Sequence, residues 1–291
     1  MDKRVIFAVA GSGKTTEIVN KLTLEKNCLV LTYTNNNVSL LRTSILRKFG
    51  YFPENIKLFS YFTFLHSFCF KPFLSLKVKS KGICWDKPPV FTLRLERSDP
   101  KFFMDSNHRL YHNRIAKLLD FYGVLDDIRL RLEKYFSYIY IDEIQDFAGH
   151  DFTFLHTIVK ANCEILFVGD FYQNTFDTSS DGKVNTGKRF EDYNSYKKLF
   201  ENMGLKVDTT TLLKSRRCSK TVCEFIKSKI GIDIEAYEDR LSVIKVINSQ
   251  HDADEIINNN SIIKLFYEEH HKYNCFSQNW GKSKGSTYEN V

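Results

Sequence analysis

Short runs of β-branched and aliphatic residues at 5–8, 28–32, 57–60, 138–141 and 165–168 alternate with helix-length amphipathic stretches. A strand, helix, strand rhythm predicts βαβ units, and hence a mostly parallel sheet covered by helices. The runs Tyr138-Ile139-Tyr140-Ile141 and Ile165-Leu166-Phe167-Val168 are apolar at every position, as in strands buried on both faces. Residues 71–134 break the rhythm, with Pro72, Pro88, Pro89 and Pro100 in the first half and a helix-like stretch at 109–122 in the second. They read as an insertion in the first domain. A second α/β segment begins near 206, with strands expected at 209–213, 243–247 and 262–266. The expected organisation is therefore one domain over 1–205 and a shorter one over 206–291.

Composition adds limits. With 291 residues, 43% hydrophobic and 26% charged, the chain is long enough to bury one or two cores and is ordinary for a globular protein. Its longest apolar runs are strand length, so no membrane span is expected. Met1-Asp2-Lys3-Arg4 leads straight into a strand pattern, and neither a secretory nor a lipidation signal is expected. Seven cysteines, at 28, 69, 84, 163, 218, 223 and 275, include no C-x-x-C pair. That argues for reduced thiols, a cytoplasmic setting and no zinc site. The net charge of +7 is local: residues 71–117 hold eleven basic and four acidic side chains, an excess of seven. Such a field suits a polyanion partner, and equally a solvated lysine-rich loop.

The strongest chemical signal is Ala8-Val9-Ala10-Gly11-Ser12-Gly13-Lys14-Thr15-Thr16, between a strand and a helix. The pattern reads as a phosphate-binding loop in which Ala8 replaces the usual first glycine. Gly11 and Gly13 let backbone amides of the 10–16 stretch turn toward phosphate oxygens, and the helix N-terminus adds its dipole. In such a loop Lys14 is expected to reach the β- and γ-phosphates, and Thr15 can ligate Mg²⁺. A second signal is Asp142-Glu143-Ile144-Gln145-Asp146 at the end of a buried-strand pattern. Asp142 there suits a Mg²⁺-binding acid, and Glu143 a group that orients or deprotonates the attacking water.

Together AGSGKT and DEIQD resemble motifs I and II of UvrD/Rep-type superfamily 1 helicases, and five further stretches follow in that family's order. Leu31-Thr32-Tyr33-Thr34-Asn35 resembles motif Ia, and Thr63-Phe64-Leu65-His66-Ser67-Phe68 resembles motif Ib. Val168-Gly169-Asp170-Phe171-Tyr172-Gln173 is similar to motif III, Leu213-Lys214-Ser215-Arg216-Arg217-Cys218 to motif IV, and residues 282–287 to the start of motif V. The resemblance implies a RecA-like first domain, an incomplete RecA-like second domain, and ATP hydrolysis with Mg²⁺ coupled to movement on single-stranded DNA, or RNA. It assigns γ-phosphate sensing to Gln173 and an arginine finger to Arg217. It also implies base stacking on Tyr33 and Phe176, and phosphate or sugar contacts from Thr34, Asn35, Thr63 and His66; base faces of any identity suit aromatic platforms.

The pattern also departs from the family. An adenine-reading glutamine segment before the P-loop is not seen, and Asn174-Thr175-Phe176-Asp177-Thr178-Ser179 follows Gln173 where the family commonly ends in Trp-Arg. The accessory insertions are small, and motif VI, with its second arginine, is expected to be missing. Loss of such a finger costs about 10³-fold or more in hydrolysis. The alternative expectation is thus an ATP-gated module that grips nucleic acid or protein with little motor activity, helped by a protein partner that supplies the missing elements. A small-molecule P-loop kinase fits less well, since it leaves motifs Ia, Ib and IV unexplained.

Overall fold

The computed structural model describes residues 1–173, 192–267, 269–283 and 288–291. The chain divides into two compact units, Met1–Ala8 with Gly13–Leu212, and Val9–Ser12 with Leu213–Val291.

In the first unit β1 (Lys3–Phe7) leads through the glycine-rich loop to α1 (Lys14–Lys21), β2 (Cys28–Thr32), α2 (Asn35–Phe49) and β3 (Ile56–Ser60). Next come α3 (Tyr61–Phe64), a π-helical stretch (Leu65–Phe70), α4 (Lys71–Leu74), β4 (Gly82–Cys84), α5 (Pro100–Phe103), β5 (Arg109–Tyr111), α6 (Ile115–Phe121) and α7 (Leu125–Tyr135). The unit closes with β6 (Tyr138–Asp142), α8 (Gly149–Lys160), β7 (Glu164–Gly169), α9 (Tyr193–Asn202) and β8 (Lys206–Asp208). Six strands form one sheet in the order β3-β2-β6-β7-β1-β8, parallel at every neighbouring pair.

Alternation along each strand explains why helices cover both faces. Val5, Phe7, Leu29, Leu31, Ile139, Ile141, Ile165 and Phe167 point into one core with residues of α6, α7, α8 and α9. Their neighbours Ile6, Val30, Tyr140, Leu166 and Val168 point into another with Ile18 and Val19 of α1 and Leu41 and Ile45 of α2. Each large apolar side chain buried this way contributes about 1.5–3 kcal/mol relative to exposure, and a one-residue slip of register would exchange the two cores. The mixed α/β fold with a parallel sheet, expected from the sequence, is therefore present, and it is compatible with a RecA-like domain.

The first unit extends past the expected boundary at 206. Residues 206–208 pair with β1 as β8, and the unit runs to Leu212. The strand expected at 209–213 does not form. Instead, the Asp208 carboxylate accepts the backbone N–H groups of Thr210 at 2.9 Å and Thr211 at 3.0 Å, and this Asx turn outcompetes the β-propensity of three consecutive threonines.

Within the insertion β4 and β5 pair in parallel. Two of its basic residues are not surface charges: Arg114 is buried with its guanidinium 4.2 Å from the Phe102 ring centroid and donating to Thr92 Oγ1 at 3.0 Å, and Lys117 is buried beside the same ring. Arg109 is paired with Asp105 at 2.7 Å. The remaining eight, Lys71, Lys77, Lys79, Lys81, Lys87, Arg94, Arg97 and Lys101, are all exposed.

In the second unit β9 (Lys214–Ser215) pairs with β10 (Glu235–Ala236), and β11 (Lys264–Phe266) with β12 (Ser277–Asn279), both in parallel. Helices α10 (Lys220–Ile230) and α11 (Gln250–Asn258) are N-capped by Ser219 and Ser249. The strand expected at 262–266 appears as β11, but 243–247 is not a strand. Val243 and Val246 are each 80% exposed there, so a β-branched run without a partner strand to bond its backbone stays irregular. All seven cysteines are free thiols. Among the described residues, no helix is long and apolar enough to cross a membrane.

Candidate active site

Parallel strands deliver their carboxyl ends to one edge of a sheet, where α/β proteins bind ligands. Here β1, β7 and β6 are adjacent, with Phe7 opposite Gly169 and Val168 opposite Asp142. The residues that follow them are the glycine-rich loop, Asp170–Gln173 and Asp142–Gln145.

Gly11 and Gly13 hold left-handed backbone at φ 72° and 95°, and Gly13 is the N-cap of α1. Ser12 is buried, its hydroxyl donating to the Val9 carbonyl at 2.8 Å, which ties the loop to itself. Ala10 is half-buried and Thr16 exposed on the first turn of α1. Lys14 lies 4.0 Å from the buried Asp170 carboxylate, and the Thr15 hydroxyl donates to Asp142 Oδ2 at 3.4 Å. The first turn of α1 and the acid that ends β6, more than a hundred residues apart in sequence, thus meet at an oxygen pair.

Asp142 is buried. Burial and the neighbouring Glu143 charge push its carboxyl above the usual carboxylate range, against the opposing pull of Lys14, the Glu143 backbone N–H and Thr15. Hydroxyl and carboxylate oxygens so placed form a hard-donor pair fitting Mg²⁺. Glu143 takes a left-handed backbone at φ 56°, a conformation that costs a non-glycine residue of order 1–3 kcal/mol and is found where the surrounding structure enforces it. Its N–H donates to Asp142 Oδ1 at 3.0 Å.

Gln145 has no role in the expectations drawn from the sequence. Fully buried, it donates from Nε2 to Glu143 Oε2 at 2.5 Å and accepts the Asp170 backbone N–H on Oε1 at 3.0 Å. One amide therefore links the acid after β6 to the segment after β7. Nothing in the sequence marks it beyond its place between Ile144 and Asp146. Asp170 in turn accepts the Tyr172 N–H at 3.0 Å. Gln173 ends that turn, its own N–H donating to the Asp170 carbonyl at 3.1 Å.

The residues expected to touch nucleic acid follow β2 and β3, in the same row of strand ends. Tyr33 is half-buried and meets Phe62 edge-on at 5.8 Å. Thr34 is the N-cap of α2, its hydroxyl accepting the Asn37 N–H at 3.2 Å, and Asn35 is the first helical residue. Thr63 is exposed and shares a 2.8 Å hydrogen bond with Ser60. His66 lies in the π-helical stretch, stacked on Phe70 at 5.6 Å, and burial lowers its pKa. Phe176 and residues 284–287 of the motif V stretch lie outside the described residues.

In the second unit, the Arg216 N–H donates to the Gly11 carbonyl at 2.9 Å. A Cβ on Gly11 would fall 2.5 Å from Arg217 Cβ, so the close approach as well as the positive φ demands glycine there. Arg217 is half-buried, with its carbonyl accepting from Arg240 at 2.8 Å.

Comparison of the chain with protein-family models and with curated proteins returns no match.

Proposed function

We propose that the chain is an ATP hydrolase of the superfamily 1 helicase type, working on single-stranded DNA. The reading is carried by the gathering of Lys14, Thr15, Asp142, Glu143 and Asp170 at the carboxyl ends of β1, β6 and β7, with Tyr33, Asn35 and Thr63 after β2 and β3 along the same edge. The order of motifs along the chain supports it independently.

In this reading Gly11, Ser12, Gly13 and Thr16 wrap the phosphates with backbone and hydroxyl groups, and Lys14 neutralises the β- and γ-oxygens. Glu143, held by Gln145, orients the attacking water and takes its proton. Thr15 and Asp142 would hold Mg²⁺, which when bound neutralises charge developing on the transferred phosphoryl group. Gln173 senses the γ-phosphate and Arg217 serves as the arginine finger of a second, incomplete RecA-like domain. Closure on ATP and reopening after hydrolysis alternate the grip on the strand.

Asp142 adds a pH signature. Its carboxyl has to lose a proton to ligate a cation, and its pKa lies above the ordinary range. Mg²⁺-dependent nucleotide binding should therefore weaken as pH falls through that raised pKa and strengthen as pH rises above it. Titration of a fluorescent ADP analogue with Mg²⁺ at pH 6 and pH 8 checks this. An Asp142→Asn variant should show little of the difference; an equal pH dependence in both proteins would remove Asp142 from the metal site.

The decisive experiment is steady-state ATP hydrolysis with and without single-stranded DNA, beside a Lys14→Ala control. The expected result is hydrolysis that DNA stimulates and the control lacks. ATP binding without hydrolysis would favour the ATP-gated binding module, and absence of ATP binding would overturn the proposal.

A further inference from the structure

Trp85 follows β4 directly and is 60% exposed. Tryptophan is the largest apolar side chain, and leaving one in water forfeits the burial that normally justifies its use. The ring is nevertheless held. It leans on His112 at 5.5 Å and 30° and meets the edge of Phe62 at 5.6 Å and 80°. His112 is itself fixed, with Nδ1 3.2 Å from the Cys84 carbonyl, and burial favours its neutral form. Phe62 is buried, packs on His112 at 5.1 Å, and meets Tyr33 at 5.8 Å. A continuous aromatic chain thus runs from Tyr33, just past β2, through Phe62, next to the exposed Thr63, to an indole on the insertion.

The exposed charge along the sequence on either side of it is mainly positive. Lys81 and Lys87 flank Trp85 in sequence and are exposed, and six more exposed basic side chains lie between 71 and 101, against the exposed acids Asp86 and Glu96. An exposed indole held by packing, in a stretch of sequence rich in exposed cations, suits a base above a phosphate chain, since stacking tolerates any base and each neutralised phosphate releases counterions.

We infer that Trp85 is a base-stacking platform for single-stranded nucleic acid, by which the insertion extends the strand-binding row that begins at Tyr33 and Thr63. This rests on the single-strand reading above. It adds a residue from outside the helicase-like motifs and gives the basic insertion a binding role.

The test uses the full chain, in which Trp85 and Trp280 are the only tryptophans. In a Trp280→Phe background Trp85 is the sole indole, and an oligo-dT titration should quench its fluorescence. Trp85→Ala should weaken oligo-dT binding, measured by anisotropy of a labelled strand, by about 5- to 150-fold, the usual effect of losing one stacked base. Trp85→Phe should recover most of it, and an abasic strand of equal length should bind wild type and Trp85→Ala alike. Oligo-dT binding that is equal in wild type and Trp85→Ala, without quenching, overturns the inference, leaves the single-strand reading intact and turns the exposed indole toward a protein partner. A wild-type chain that binds no oligo-dT overturns both.

Discussion

Glu143→Gln is expected to lower ATP turnover by about 10²- to 10⁴-fold, the range for loss of a general base, and to leave ATP binding unchanged. The substitution removes the charge and basicity of the side chain but keeps its length and one carbonyl oxygen. Gln145 Nε2, which donates to Glu143 Oε2, retains an acceptor, so the buried amide does not lose its partner and the turn keeps its shape. Asp142 keeps the backbone N–H of residue 143 for the same reason. Steady-state hydrolysis measured beside equilibrium binding of a fluorescent nucleotide separates the two properties. Turnover within a few-fold of wild type would remove Glu143 from the chemistry, whereas parallel loss of binding would make it a structural residue of the turn.

Gly169→Ala should damage fold and site together. A Cβ there would lie 2.6 Å from Ile144 Cγ2, 3.1 Å from the Ile144 backbone nitrogen, and closer still to Gln145 Oε1. The backbone nitrogen cannot swing aside, and Ile144 and Gln145 are both fully buried. Overpacking of this kind costs typically about 1–3 kcal/mol, or roughly 2–12 °C of melting temperature for a domain of this size. Moving Gln145 also detaches the Asp170 N–H and the support of Glu143, so hydrolysis should fall in protein that is still folded at assay temperature. Thermal melts and turnover of the purified variant check the two effects. An unchanged melting temperature would mean that β7 and the turn after β6 separate more easily than their packing implies.

The two variants probe the same junction from its two sides, and the physics at that junction explains why one partner was legible in sequence and the other was not. The strand-end place of Glu143 was readable because an apolar run of strand length leads up to Asp142. Gln145 looked like any polar residue in a turn, since nothing local says that its amide spans to Asp170, twenty-five residues later. The basic insertion shows the converse. Eleven positive charges were countable in the sequence, but only folding showed that Arg114 and Lys117 lie in the interior beside Phe102. Trp85 was likewise one aromatic among many until its exposure and its contact with His112 and Phe62 set it apart.

By itself the sequence determined the parallel α/β architecture, because strand alternation and amphipathic helices are local consequences of side-chain period. It also determined the glycine-rich turn between β1 and α1, where Gly11 and Gly13 take backbone conformations open to few other residues. Tertiary structure alone decided that 206–208 joins the first sheet beside β1, that 243–247 finds no strand partner, and that Thr15 meets Asp142. Strand pairing and buried hydrogen bonds depend on which distant groups arrive at the same place, and side-chain period does not encode that.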